Sequence, residues 1–183
     1  MNRNEAITLM FEWTLNESLR KHMLCVETAV RAYAKKFNQD EELWGITGLL
    51  HDFDYEKFPN PPNHPMKGSE ILKELGYPDE MRIAILGHAS YTNVARESLL
   101  AKVLFACDEL CGFIVACSLV KPDKKVASVE VRSVKKKLND KGFARNVSRE
   151  DIVNGARELE INLDDHIQFV IDALTANADN LGL

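Results

Sequence analysis

The chain has no uncharged apolar run approaching the roughly 18 residues a membrane span needs, so no transmembrane helix is expected. Its first residues, Met1-Asn2-Arg3-Asn4-Glu5-Ala6, are polar and include an acid, unlike the basic start and apolar core of a secretory signal. Cysteine is sparse: Cys25, Cys107, Cys111 and Cys117 form no CxxC pair, which excludes the paired-cysteine zinc and dithiol motifs. Three of the four share one apolar helical stretch, where they read as small core residues, and a reduced, cytoplasmic setting fits best. Internal repeats, low-complexity linkers and period-two alternation are all missing, which excludes a repeat array and leaves no candidate strand.

Positive charge is also short. The net charge of −5 argues against a dedicated nucleic-acid binder. The balance is uneven, because Lys121 to Arg145 holds nine basic and three acidic residues, leaving +6 there and −11 elsewhere. A solvated helix face explains this segment. A basic lip that draws phosphorylated substrates would explain it too.

What is present is helical. A chain of 183 residues with 45% hydrophobic content supports one domain of ordinary size. Asn16 reads as the cap of a helix to about Phe37, with an apolar stripe of Leu19, Met23, Val26, Val30, Tyr33 and Phe37, and with His22 beside that stripe. Asp40 caps a second helix to about Asp52. The stretch Phe53 to Asn63, with Pro59, Pro61 and Pro62, reads as loop. His64-Pro65 opens a helix with proline at its first position, ending near Gly76, and Pro78-Asp79 opens another that ends around His88. Ser98 caps a long apolar helix to about Leu119, expected to be central and buried. Three further helices are predicted near 127–138, 149–160 and 164–176. His166, after Asp164-Asp165, is expected to be exposed. The fold class is all-α, an orthogonal helical bundle.

Four of five histidines fall at His22, His51, His64 and His88; Asp52 follows His51 directly, and Asp108 lies in the most apolar helix. Imidazole and carboxylate together suit divalent transition metals. Six such groups exceed what one ion takes while keeping open positions, and suit two ions sharing a carboxylate. Singly, each residue has an ordinary explanation: a core histidine for His22, helix-end histidines for His64 and His88. Asp108 is harder to explain away. Its neighbours one turn away are Leu104, Phe105, Cys111 and Gly112, so it is expected to be buried, and a buried carboxylate needs a cation or donors.

These residues resemble the HD superfamily of metal-dependent phosphohydrolases. The resemblance runs from about Leu19 to Phe113 and rests on His22, Leu49-Leu50-His51-Asp52, His64-Pro65 with Gly68, His88 and Asp108. It implies a single HD-type domain over 1–183, with a metal-site core at about 16–120 and a helical extension at about 121–183. It implies that His22, His51, Asp52 and Asp108 hold one ion, and that Asp52, His64 and His88 hold a second, with Asp52 bridging. The layout, including Asp108-Glu109-Leu110-Cys111-Gly112-Phe113-Ile114, looks like a bacterial group described only as HD-type hydrolases. The Gly-Tyr-Pro of the cyclic-dinucleotide class does not follow the His-Asp pair; Gly76-Tyr77-Pro78 reads as a helix stop and restart.

The expected function is cleavage of a phosphate ester of a small nucleotide-like substrate by a metal-activated water, with Asp52 as the catalytic residue. Two divalent transition-metal ions (Fe, Mn, Co, Ni or Zn) are the expected cofactors. Lys67 and, less directly, Lys57 are candidates for binding phosphate, helped by exposed amides at the helix start after His64. Each is otherwise an ordinary surface lysine. Glu109 is a candidate to orient a ligand histidine, or an ordinary surface charge. The expected partner is a small phosphorylated molecule, with neither a nucleic-acid polymer nor a membrane. A di-iron oxygenase of the inositol-oxygenase type and a non-catalytic metal-binding regulatory module remain as alternatives.

Overall fold

The computed structural model describes residues 2–183; Met1, the first of the N-terminal residues read above, lies outside them. Among the described residues there are ten α-helices, two 3-10 turns and no strand, so the chain is all-α. None of these helices is long and apolar enough to cross a membrane. The helices are α1 (Arg3–Trp13), α2 (Glu17–Lys36), α3 (Glu41–Leu50), α4 (Asn63–Glu74), α5 (Asp79–His88), α6 (Leu99–Leu119), α7 (Val131–Leu138), α8 (Arg149–Glu158), α9 (Leu163–Ala176) and α10 (Ala178–Leu181). Contacts gather into two compact units, one closing at Phe105 and the other running Ala106–Leu183; α6 is one helix through that boundary.

In the first unit α2 packs along α3, α1 and α5 pack on α3, and α4 packs on α5. The stripe read on α2 buries Met23, Val26, Val30 and Tyr33. The Asn16 side chain accepts from the Leu19 amide, and Asp40 accepts from Glu42 and Leu43, as their capping roles require. α2 and α3 meet closely at Gly48, where an added Cβ would lie 3.0 Å from the Glu27 backbone. Glu27 itself is buried, yet its carboxylate accepts from Arg3 Nε at 2.6 Å and Arg31 Nε at 2.9 Å, so its charge is compensated.

Two local features go beyond or depart from the sequence reading. No element is assigned before Asn16 from the sequence, and α1 forms there, opened by a capping box between Asn2 and Glu5. It buries only Ala6 and Met10, too short a stripe to register as a period. Pro65 is not an ordinary first helical residue: His64 is extended (ψ 139°) and Pro65 is itself non-helical (ψ 16°), so the regular turns of α4 begin after Pro65. Gly76 (φ +79°) does end α4, and Pro78 (ψ 148°) restarts the chain as α5.

In the second unit α9 packs with α7, α8, α10 and the 3-10 turn Val126–Ser128. This turn occupies part of what was expected to be the start of α7. His166 is fully buried, not exposed, because it shares the inward face of α9 with Ile167, Val170, Ile171 and Leu174; its Nε2 lies 2.9 Å from the Ala106 carbonyl oxygen. In the basic segment, Lys135 pairs with Asp164, Arg132 with Glu130 and Lys137 with Asp140.

Candidate metal centre

The ends of the first unit's helices bring the histidines together. His22 lies in the second turn of α2, His51 directly follows α3, His64 stands at the head of α4 and His88 is the last residue of α5. His51, His64 and His88 are buried, while His22 and Asp52 are partly exposed. Asp52 sits between two pairs of imidazoles. Its Oδ2 faces His51 Nε2 at 3.5 Å and His22 Nε2 at 3.8 Å. Its Oδ1 faces His64 Nε2 at 3.2 Å and His88 Nε2 at 3.4 Å. His22 and His51 bring their Nε2 atoms within 3.2 Å of each other. Asp52, His64 and His88 each offer a ligand atom, and these lie within 4.8 Å of one another.

Three of the imidazoles are turned by acceptors on their far side. His51 Nδ1 lies 2.8 Å from the Gly48 carbonyl oxygen, one turn back on α3. His88 Nδ1 lies against the Ile85 carbonyl in the same way on α5. His64 Nδ1 lies 2.8 Å from Asp54 Oδ1. Such partners only accept, so Nδ1 donates and the neutral ring presents its Nε2 lone pair inward. Lone pairs aimed at a carboxylate and at one another repel unless a proton or a cation stands between them. The donor set, all imidazole nitrogen and carboxylate oxygen, therefore fits divalent transition-metal ions.

With a proton on the rings in place of a cation between them, the same nitrogens instead donate to Asp52. Burial pushes the Asp52 carboxyl up, but the charge of His51 and the hydrogen bonds from His64 and His88 outweigh it and hold Asp52 well below the usual carboxylate range. For His64, burial acts downward, yet Asp52 and Asp54 together push it up to about 9.

Asp54 is a site residue that sequence reasoning missed. It is fully buried and divides its two oxygens: Oδ1 accepts from His64 Nδ1, and Oδ2 accepts from the Gly68 amide at 2.7 Å. The one available signal was its place two residues after Asp52. Gly68 must be glycine here, since a Cβ would stand 2.8 Å from Asp54 Cγ. The Gly68 amide is thus engaged by Asp54 and does not join the amides expected to face a phosphate at the start of α4. Tyr91, in the 3-10 turn Ser90–Thr92 after α5, donates its hydroxyl to the His64 carbonyl at 2.6 Å. The Tyr55 ring stands edge-on to the His64 ring, centroids 5.0 Å apart.

The remaining expected residues lie as follows. Asp108 is on α6 in the second unit and is half-buried, not buried as expected, because its face of the helix opens at half-buried Glu109 and Gly112. Its charge adds to burial in pushing the adjacent Cys107 thiol up. Lys67 pairs with Glu70 at 2.8 Å on the exposed side of α4, and Lys57 lies over the Trp13 ring at 3.7 Å from its centroid.

A family model described as HD domain matches residues 19–112, just over half of the chain. His22, His51, Asp52, His64, His88 and Asp108 all fall inside the match. No curated protein and no solved structure matches the chain.

Proposed function

The chain belongs to the HD domain family, whose members are mostly metal-dependent hydrolases, and on that premise we propose that it cleaves a phosphate ester of a small nucleotide-like molecule. The observation that carries the reading is the division of Asp52, one carboxylate oxygen toward His22 and His51 and the other toward His64 and His88. That is the arrangement a carboxylate adopts to bridge two cations. His22 and His51 would hold one ion, and His64 and His88 the other. Asp108 enters as a further ligand of the first on the family's residue order alone. When bound, such ions acidify a water and neutralise the negative charge that develops on a phosphate.

The chain's own residues prepare that chemistry by fixing geometry. Gly48, Ile85 and Asp54 hold three imidazoles with Nε2 inward, so little reorganisation remains when a ligand arrives. Lys67 is proposed to turn from Glu70 to a phosphate oxygen, and Lys57 from Trp13. An exposed ion pair such as Lys67–Glu70 is worth about 1 kcal/mol or less, so the exchange costs little. Glu109 is proposed to steady a ligand from beside Asp108.

The test is phosphate release from nucleoside mono-, di- and triphosphates, dinucleoside polyphosphates and cyclic nucleotides, with Mn, Fe, Co, Ni, Zn and Mg supplied separately. Turnover with at least one transition metal is expected. No turnover with any metal, together with oxygen consumption in the presence of a polyol, replaces this reading by the oxygenase one.

A further inference from the structure

Two tyrosines abut His64 from different segments, and both remain open to solvent. Tyr55 comes from the turn after Asp52 and Asp54, and its ring meets the His64 ring edge-on. Tyr91 comes from the turn after His88, and its hydroxyl is committed to the His64 carbonyl. Their neighbours Phe53, Asp54, His64 and Ala89 are all buried, whereas Tyr55 is 43% and Tyr91 46% exposed. The core does not need the Tyr55 ring, since Phe53 already fills the interior from the same turn. Each ring is also held in place, Tyr91 by its hydrogen bond and Tyr55 by its contact with a buried imidazole. A fixed, half-exposed phenol offers a planar apolar surface at little entropic cost.

We propose that Tyr55 and Tyr91 are specificity residues, forming an aromatic rim beside His64 that stacks on a planar ring carried by the phosphate ester. This rests on the phosphohydrolase reading above and narrows its substrate class to phosphates of aromatic, nucleobase-like groups. The charged candidates cannot make this distinction: Lys67 and Lys57 would meet phosphate in any ester. Stacking can, because every base has a face, and ring–base stacking is worth enough to change affinity by about tenfold or more.

The test is titration calorimetry of the metal-loaded full chain with adenosine monophosphate and with ribose phosphate, which carries the same phosphate without the base. The wild type is expected to bind adenosine monophosphate about tenfold more tightly or better. Tyr55→Ala should bring the two affinities to within about twofold, and Tyr55→Phe, which keeps the ring, should restore the preference. Equal affinities in the wild type, no binding of either, or an undiminished preference in Tyr55→Ala overturns the proposal. Failure of the phosphohydrolase reading shows separately, as absence of phosphate release from both esters while the binding preference stands.

Discussion

At the scale of single residues the account turns on Asp52 and Asp54, two carboxylates with different duties. Asp52 faces all four imidazoles, so Asp52→Ala should abolish nearly all turnover and strip metal from both halves of the centre. Turnover and metal content near wild type in that variant would contradict its bridging place. Asp54 touches His64 and the Gly68 amide, and both donate to it. Asparagine can accept on one side only, so Asp54→Asn sets its amide group against either His64 Nδ1–H or the Gly68 amide. Metal affinity should fall about 10- to 100-fold, read by competition with a chelator; unchanged affinity would show that Asp54 does not steer His64. Asp108→Ala should lower metal content. Its effect on melting should be modest, because the half-buried site leaves little cavity behind.

At the scale of elements, the centre depends on helix ends held at close range. Gly48 is where this is tightest: its carbonyl turns His51, and its missing side chain lets α3 approach the Glu27 backbone on α2. Backbone on α2 cannot swing aside, so Gly48→Ala should cost about 1–3 kcal/mol in stability and lower metal loading by displacing His51 from His22. Thermal melting and elemental analysis of the variant would check both, and a wild-type result in each would contradict the argument. The same local physics explains what could be read in advance. The regular stripe of α2, the caps Asn16 and Asp40, and the glycine stop at Gly76 act over one or two turns, so the sequence displays them. α1 was invisible because only Ala6 and Met10 face inward. His166 was misread because two acids precede it, although its spacing to Ile167 and Val170 marks the buried face of α9. The histidines and Asp52, which the fold brings together, stood out in the sequence because candidate metal ligands are a restricted set of residue types. Asp54 was not, because a residue that turns a ligand can be any acceptor, and a backbone carbonyl serves His51 and His88 equally well.

At the scale of the whole molecule, ligands that bind the folded chain add to its stability by mass action. Free metal at about 100 times its dissociation constant contributes roughly 2.7 kcal/mol, so chelation should lower the melting temperature and return of a transition metal should restore it. Magnesium should restore it less, because imidazole is a poor ligand for a hard cation that keeps its waters. The central claim, a carboxylate built to bridge two ions, is tested most directly by elemental analysis of protein purified without oxygen. The account predicts close to two transition-metal ions per chain. One ion per chain would reduce His64 and His88 to substrate-binding or positioning roles, and a metal-free protein that is folded and hydrolyses phosphate esters would contradict the claim outright.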